Sequence, residues 1–138
     1  MKTEPSRETG SHSRRTILTF AAVVEIATGL ALMADPAVVV RLLLGAEVSG
    51  IGWLLGRFFG IALLALGVAC WPSKQRSDND PPTFRSMLTY NALVALYLAY
   101  LGTAGHLHGL LLWPAMALHA IVALLLVWTW LRRNRARA

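Results

Sequence analysis

The segment TILTFAAVVEIATGLALMA, residues 16–34, decides how this chain is read. It is apolar apart from one charge, Glu25, near its middle, and its length is close to the roughly 20 residues that cross a hydrocarbon core about 30 Å thick. Asp35-Pro36 stops it. Three further runs of the same kind follow at 51–71, 84–103 and 111–131. Trp71-Pro72 ends the first of these, Pro81-Pro82 precedes the next, and Pro114 falls in the first turn of the last, where its missing amide hydrogen costs little. The expected fold is all-α, an integral membrane four-helix bundle.

Composition agrees. Of the 138 residues, 56% are hydrophobic and 14% charged, with a mean hydropathy of +0.54, which suits lipid. The net charge of +6 would suit nucleic acid on a soluble domain. Here the basic residues flank apolar runs and line no single face with interleaved aromatics, so no nucleic-acid partner is expected.

Charge placement instead sets direction. Lys2, Arg7, Arg14, Arg15, Lys74, Arg76, Arg85, Arg132, Arg133, Arg135 and Arg137 fall in the basic tail at 1–15, the middle loop or the basic tail at 132–138. Only Arg41 falls in the two opposite loops. The positive-inside rule therefore predicts cytoplasmic N and C termini, and the short chain with tight loops suggests a bacterial inner membrane. Trp53 and Trp113 begin spans on the outer side, while Trp71, Trp128 and Trp130 end spans on the inner side, as interfacial belts. Ser13-Arg14-Arg15-Thr16 resembles a twin-arginine export signal, but the apolar run after it is long enough to span and carries Glu25, so an uncleaved first helix is expected. The apolar outer loop 36–50 is too short to cross and is expected to hold an interfacial helix ended by Gly45. The middle loop 73–82 is polar and expected to be mobile. Cys70 has no second cysteine to pair with and reads as a small buried hydrophobe.

Lipid gives helices little hydrophobic reason to associate, so small residues that admit close backbone approach mark the packing faces. Gly52, Gly56 and Gly60, spaced four apart, mark one, and Ala92, Ala95 and Ala99 another.

Ionisable groups inside spans are costly and face inward by default. At about 1.5 Å per residue, Arg57 and Tyr97 lie about 9 Å below the outer ends of their helices, His119 about 12 Å and Glu25 about 14 Å. One polar side chain from each helix is thus expected to converge on the outer half of the membrane, with Arg57 and Glu25 in a bidentate pair. Tyr90 and Tyr97 share a face of the third span, and Asn91 lies deeper. The cluster reads either as a buried salt bridge that fixes helix register or as an outward-opening site for a quinone, lipid head group, small cation or proton.

Other chemistry is not signalled. His106 and His108 flank one residue in a short loop, and His119 stands alone at its depth, so neither haem nor metal is expected. No phosphate loop, nucleophile elbow, catalytic carboxylate pair or zinc spacing appears. The chain reads more as a non-enzyme, without cofactor.

With Val24-Glu25-Ile26-Ala27-Thr28-Gly29-Leu30 in the first span and Gly56-Arg57-Phe58-Phe59-Gly60-Ile61-Ala62-Leu63-Leu64-Ala65-Leu66-Gly67-Val68-Ala69-Cys70-Trp71 in the second, the chain resembles small four-helix bacterial membrane proteins of the DoxX-like kind. That resemblance implies a link to quinone-coupled sulfur oxidation, as in the founding members. It carries over no catalytic residues. The chain itself reads as an accessory or structural subunit in contact with lipid, in a homo-oligomer or larger membrane complex. The first span is also similar to that of small multidrug resistance transporters, in which a glutamate of the first helix exchanges protons for a cationic substrate. Arg57 and the strong charge bias depart from that pattern.

Overall fold

A computed structural model describes the backbone of residues 5–72 and 81–135, and the side chains of residues 13–72, 82–132 and 135. The expectations for the middle loop at 73–80 and for the side chains of Lys2, Arg7, Lys74, Arg76, Arg133 and Arg137 lie outside the described residues. The elements are α1 (Pro5–Ala34), α2 (Pro36–Leu44), α3 (Ile51–Ala69), α4 (Pro81–Thr103) and α5 (Leu112–Arg135).

The chain is all-helical as described, and three helices are long and apolar enough to cross a membrane: Ser13–Ala34 in α1, Ile51–Ala69 in α3, and Leu112–Arg132 in α5. At 23 residues, or about 34 Å, α4 has the length as well. Its average apolarity is diluted by Arg85, Tyr90, Asn91, Tyr97 and Tyr100. Two helices overrun their expected limits. Nothing between Pro5 and Arg15 breaks a helix, so α1 continues back through part of the basic tail, and α5 likewise runs on to Arg135.

α1 packs along α3 and α4 along α5; contacts of α1 with α5, and more lightly with α4, join the two pairs. Each helix buries one stripe at helical spacing. The stripes are Ala21, Ala22, Glu25, Gly29 and Leu32 on α1; Gly60, Leu63 and Gly67 on α3, continued by Cys70; Phe84, Met87, Asn91, Ala95 and Leu98 on α4; and Leu112, His119, Val122 and Leu126 on α5. The opposite faces are apolar and exposed, with Phe58 71% and Leu96 69% accessible. Leu124 at 68% completes a surface suited to lipid contact.

The α1–α3 contact is the closest. A Cβ on Gly29 would lie 2.7 Å from the Gly60 carbonyl oxygen and 2.8 Å from the Leu64 nitrogen, and one on Gly67 would lie 2.8 Å from the Ala22 carbonyl oxygen. Gly60 therefore lies in the expected packing stripe. Gly56 faces Pro36 of α2, whereas Gly52 meets only the Val48 side chain of the preceding loop. Ala95 is buried and Ala92 and Ala99 flank it, half-buried.

The two pairs are tied at three levels. At one end Ala21, Ala22, Cys70, Phe84, Met87, Val122 and Leu126 form an apolar core, and the Arg14 guanidinium lies 4.3 Å from the centre of the Phe84 ring. In the middle sits the polar group described below. At the far end α2 is the bridge: its Leu42 carbonyl accepts a 2.8 Å hydrogen bond from the Leu111 amide, and Gly109 abuts Leu43 and Leu44.

α2 has the expected boundaries. The Asp35 carboxylate accepts from the amides of Ala37 (3.0 Å) and Val38 (3.2 Å), Pro36 begins the helix, and Gly45 ends it at φ +71°. Asp35→Ala is expected to destabilise α2 by about 1 kcal/mol. Hydrogen exchange should quicken at Ala37 and Val38 while the protection of α1 and α3 stays unchanged.

Candidate functional site

Three polar or ionisable side chains are buried among the described residues: Glu25 and Asn91, each 1% exposed, and His119, 9% exposed. Each stands on the inward stripe of a different helix, so the stripes that pack the bundle also bring these groups together. The Tyr90 hydroxyl is the hydrogen-bond partner of the Glu25 carboxyl group, and the Tyr90 ring stands edge-on to His119, 5.9 Å between centroids.

Donor logic fixes the imidazole tautomer. The Asn91 amide nitrogen donates to the Met87 carbonyl oxygen at 2.9 Å. That carbonyl can only accept, so the Asn91 oxygen faces His119 Nδ1, 2.9 Å away, and Nδ1 must carry the hydrogen. A neutral His119 is therefore expected in the Nδ1–H form. Nitrogen NMR on histidine-labelled protein, with His119→Gln for assignment, checks this, and an Nε2–H tautomer would contradict the arrangement.

Glu25 is left incompletely satisfied. Its Oε1 is buried with no hydrogen-bond partner; His119 Nδ1 stands 3.9 Å from it, with its hydrogen pointing to Asn91. The centre thus offers a buried oxygen able to accept a proton or a donor group, between the α1–α3 pair and the α4–α5 pair.

The expected Arg57–Glu25 pair does not form. Arg57 is exposed on α3, with its guanidinium carbon 5.6 Å from the centre of the Trp53 ring. It follows Gly56, which faces α2, and is turned about 100° from it, onto a face shared with exposed Leu54, Phe58 and Ile61. Tyr97 is also outside the cluster: it is 62% exposed and stacks on Tyr100, 6.5 Å between centroids. Of the residues that do meet, Glu25 and His119 lie in the halves of α1 and α5 nearer the α2 end, and Tyr90 and Asn91 near the middle of α4. Depth along an axis does not fix direction around it, and Arg57 lies one turn beyond Gly60, the residue that faces Gly29, on the exposed side of α3. The buried series Phe84, Met87, Asn91, Ala95 and Leu98 is the sequence signal that selects Asn91 over Tyr97.

Comparison with protein-family models, with curated proteins and with solved structures gave no match.

Proposed function

We propose that this chain is a bacterial inner-membrane protein with four spans, α1, α3, α4 and α5, and both termini in the cytoplasm, in which Glu25 is a proton-binding group of a proton-coupled carrier. The span assignment for α4 is supported by its length and by its apolar outer face, Leu93 and Leu96, with Asn91 turned inward. The direction is supported by the basic residues at one end and by the tryptophans at both.

One observation carries the functional reading: the Glu25 carboxyl group is buried with an oxygen that has no partner, and the guanidinium that would have neutralised it faces away. A residue retained only to fix helix register is better served by full satisfaction, because a partly satisfied buried polar group costs more than an apolar one. The objection that Arg57 would repel cations from Glu25 loses its force with Arg57 on the other face.

A second reading, an accessory subunit of a larger membrane complex, linked to a quinone or lipid, is favoured by the closure of the centre and by the DoxX-like resemblance. Vesicles holding the purified protein and a pH-sensitive dye separate the two. Tetraethylammonium added against an imposed pH gradient should move protons in the parent and not in Glu25→Gln. Equal responses in both would sink the carrier reading.

A further inference from the structure

We infer that Arg57 and Trp53 form a binding site for the phosphate of a membrane lipid at the end of the bundle where α3 begins. The inference rests on α3 being a span, which is part of the reading above, and is independent of the role of Glu25.

Arg57 stands in a segment apolar enough to cross a membrane, on a face shared with exposed Leu54, Phe58 and Ile61. Its charge is permanent, and such a group facing lipid is costly unless it reaches an anion or the interface. No carboxylate among the described residues pairs with it; its partner is the Trp53 ring. That contact gives the direction of the side chain. The Arg57 backbone lies about 9 Å inside the start of α3, and Trp53, one turn nearer that start, is about 6 Å further out. The guanidinium carbon, 5.6 Å from the centre of the Trp53 ring, is thus drawn from the level of the Arg57 backbone toward the start of the helix and the lipid head groups.

The chemistry suits phosphate. The ring attracts the guanidinium through its charge, leaving N–H groups for two parallel bonds to oxygen, the pairing at which arginine exceeds lysine. Trp53, 37% exposed, is an interfacial anchor that places the site at that depth. Pro36 packs on Gly56, so α2 lies beside this corner and brings Arg41, exposed in its last turn, to the same end. By contrast Arg14 and Arg132, which lie over Phe84 and Trp128, flank spans at the opposite end and need no such climb.

The test is native mass spectrometry of protein taken from nanodiscs of phosphatidylglycerol into a mild detergent. The parent should retain one phospholipid per chain, Arg57→Gln should lose it about tenfold more readily, and Arg57→Lys should fall between. Equal retention by parent and Arg57→Gln overturns the site. Displacement by millimolar inorganic phosphate makes it a site for free phosphate and overturns the lipid assignment, as does an Arg57-dependent adduct that is a protein. Carbonate extraction of the same membranes keeps the two claims apart: release of the chain would refute the span reading, whereas retention with no effect of Arg57→Gln refutes the lipid site alone.

Discussion

Glu25→Gln is expected to fold with a stability within about 1 kcal/mol of the parent, while losing proton binding at the centre. Glutamine keeps an oxygen for the Tyr90 hydroxyl and carries no charge, while its amide nitrogen takes the place of an oxygen that already lacked a partner. The size of the change is what discriminates. Were Glu25 half of a buried ion pair with Arg57, removing it would strand the guanidinium and cost about 3–5 kcal/mol. With Arg57 on the far face of α3, that penalty is absent, and Arg57→Gln should leave the unfolding free energy within about 0.5 kcal/mol of the parent. Reversible unfolding in mixed detergent, read by circular dichroism, gives both numbers. A marked loss in Glu25→Gln would return the centre to a structural role.

Gly29→Ala should be the more damaging change, destabilising the bundle by about 2–3 kcal/mol. The added methyl would meet the Gly60 carbonyl oxygen at 2.7 Å and the Leu64 nitrogen at 2.8 Å. Both are backbone atoms of a helix, so the only relief is separation of α1 from α3. Because van der Waals contact drives helix association in lipid, that separation weakens the whole face. Gly52→Ala is the control, since its new methyl would touch only the flexible Val48 side chain, at 2.9 Å; it should stay within about 1 kcal/mol. Equal losses in the two variants would contradict the packing described.

Much of the fold was legible because it rests on one-dimensional signals. Apolar run length, Asp35-Pro36 and Gly45 gave the helix limits to within a few residues, except where the basic ends of α1 and α5 continue as helix without a breaker. α4 is the marginal case: Tyr90 and Asn91, which build the centre, lower its average apolarity together with the exposed Arg85, Tyr97 and Tyr100. The site was half legible. Spacing could place Glu25 and His119 inside spans, and burial periodicity on α4 and α5 contains Asn91 and His119 in phase. It could not show that Arg57 lies one turn beyond Gly60, which faces Gly29, on the exposed side of α3, and so Arg57, the most conspicuous charge in the middle of the sequence, reads from depth alone as a partner of Glu25. The Gly29–Gly60 contact was likewise hidden, because a small-residue stripe names one side of an interface and not its partner.

The most direct test of the account is infrared difference spectroscopy of Glu25 in nanodiscs, comparing the parent, Glu25→Gln and Arg57→Gln as pH is stepped across the range in which the protein stays folded. The account predicts a reversible carboxyl-to-carboxylate conversion in the parent that is absent from Glu25→Gln and unchanged in Arg57→Gln. A carboxylate fixed throughout that range, and perturbed when Arg57 is neutralised, would contradict it and establish the ion pair in its place.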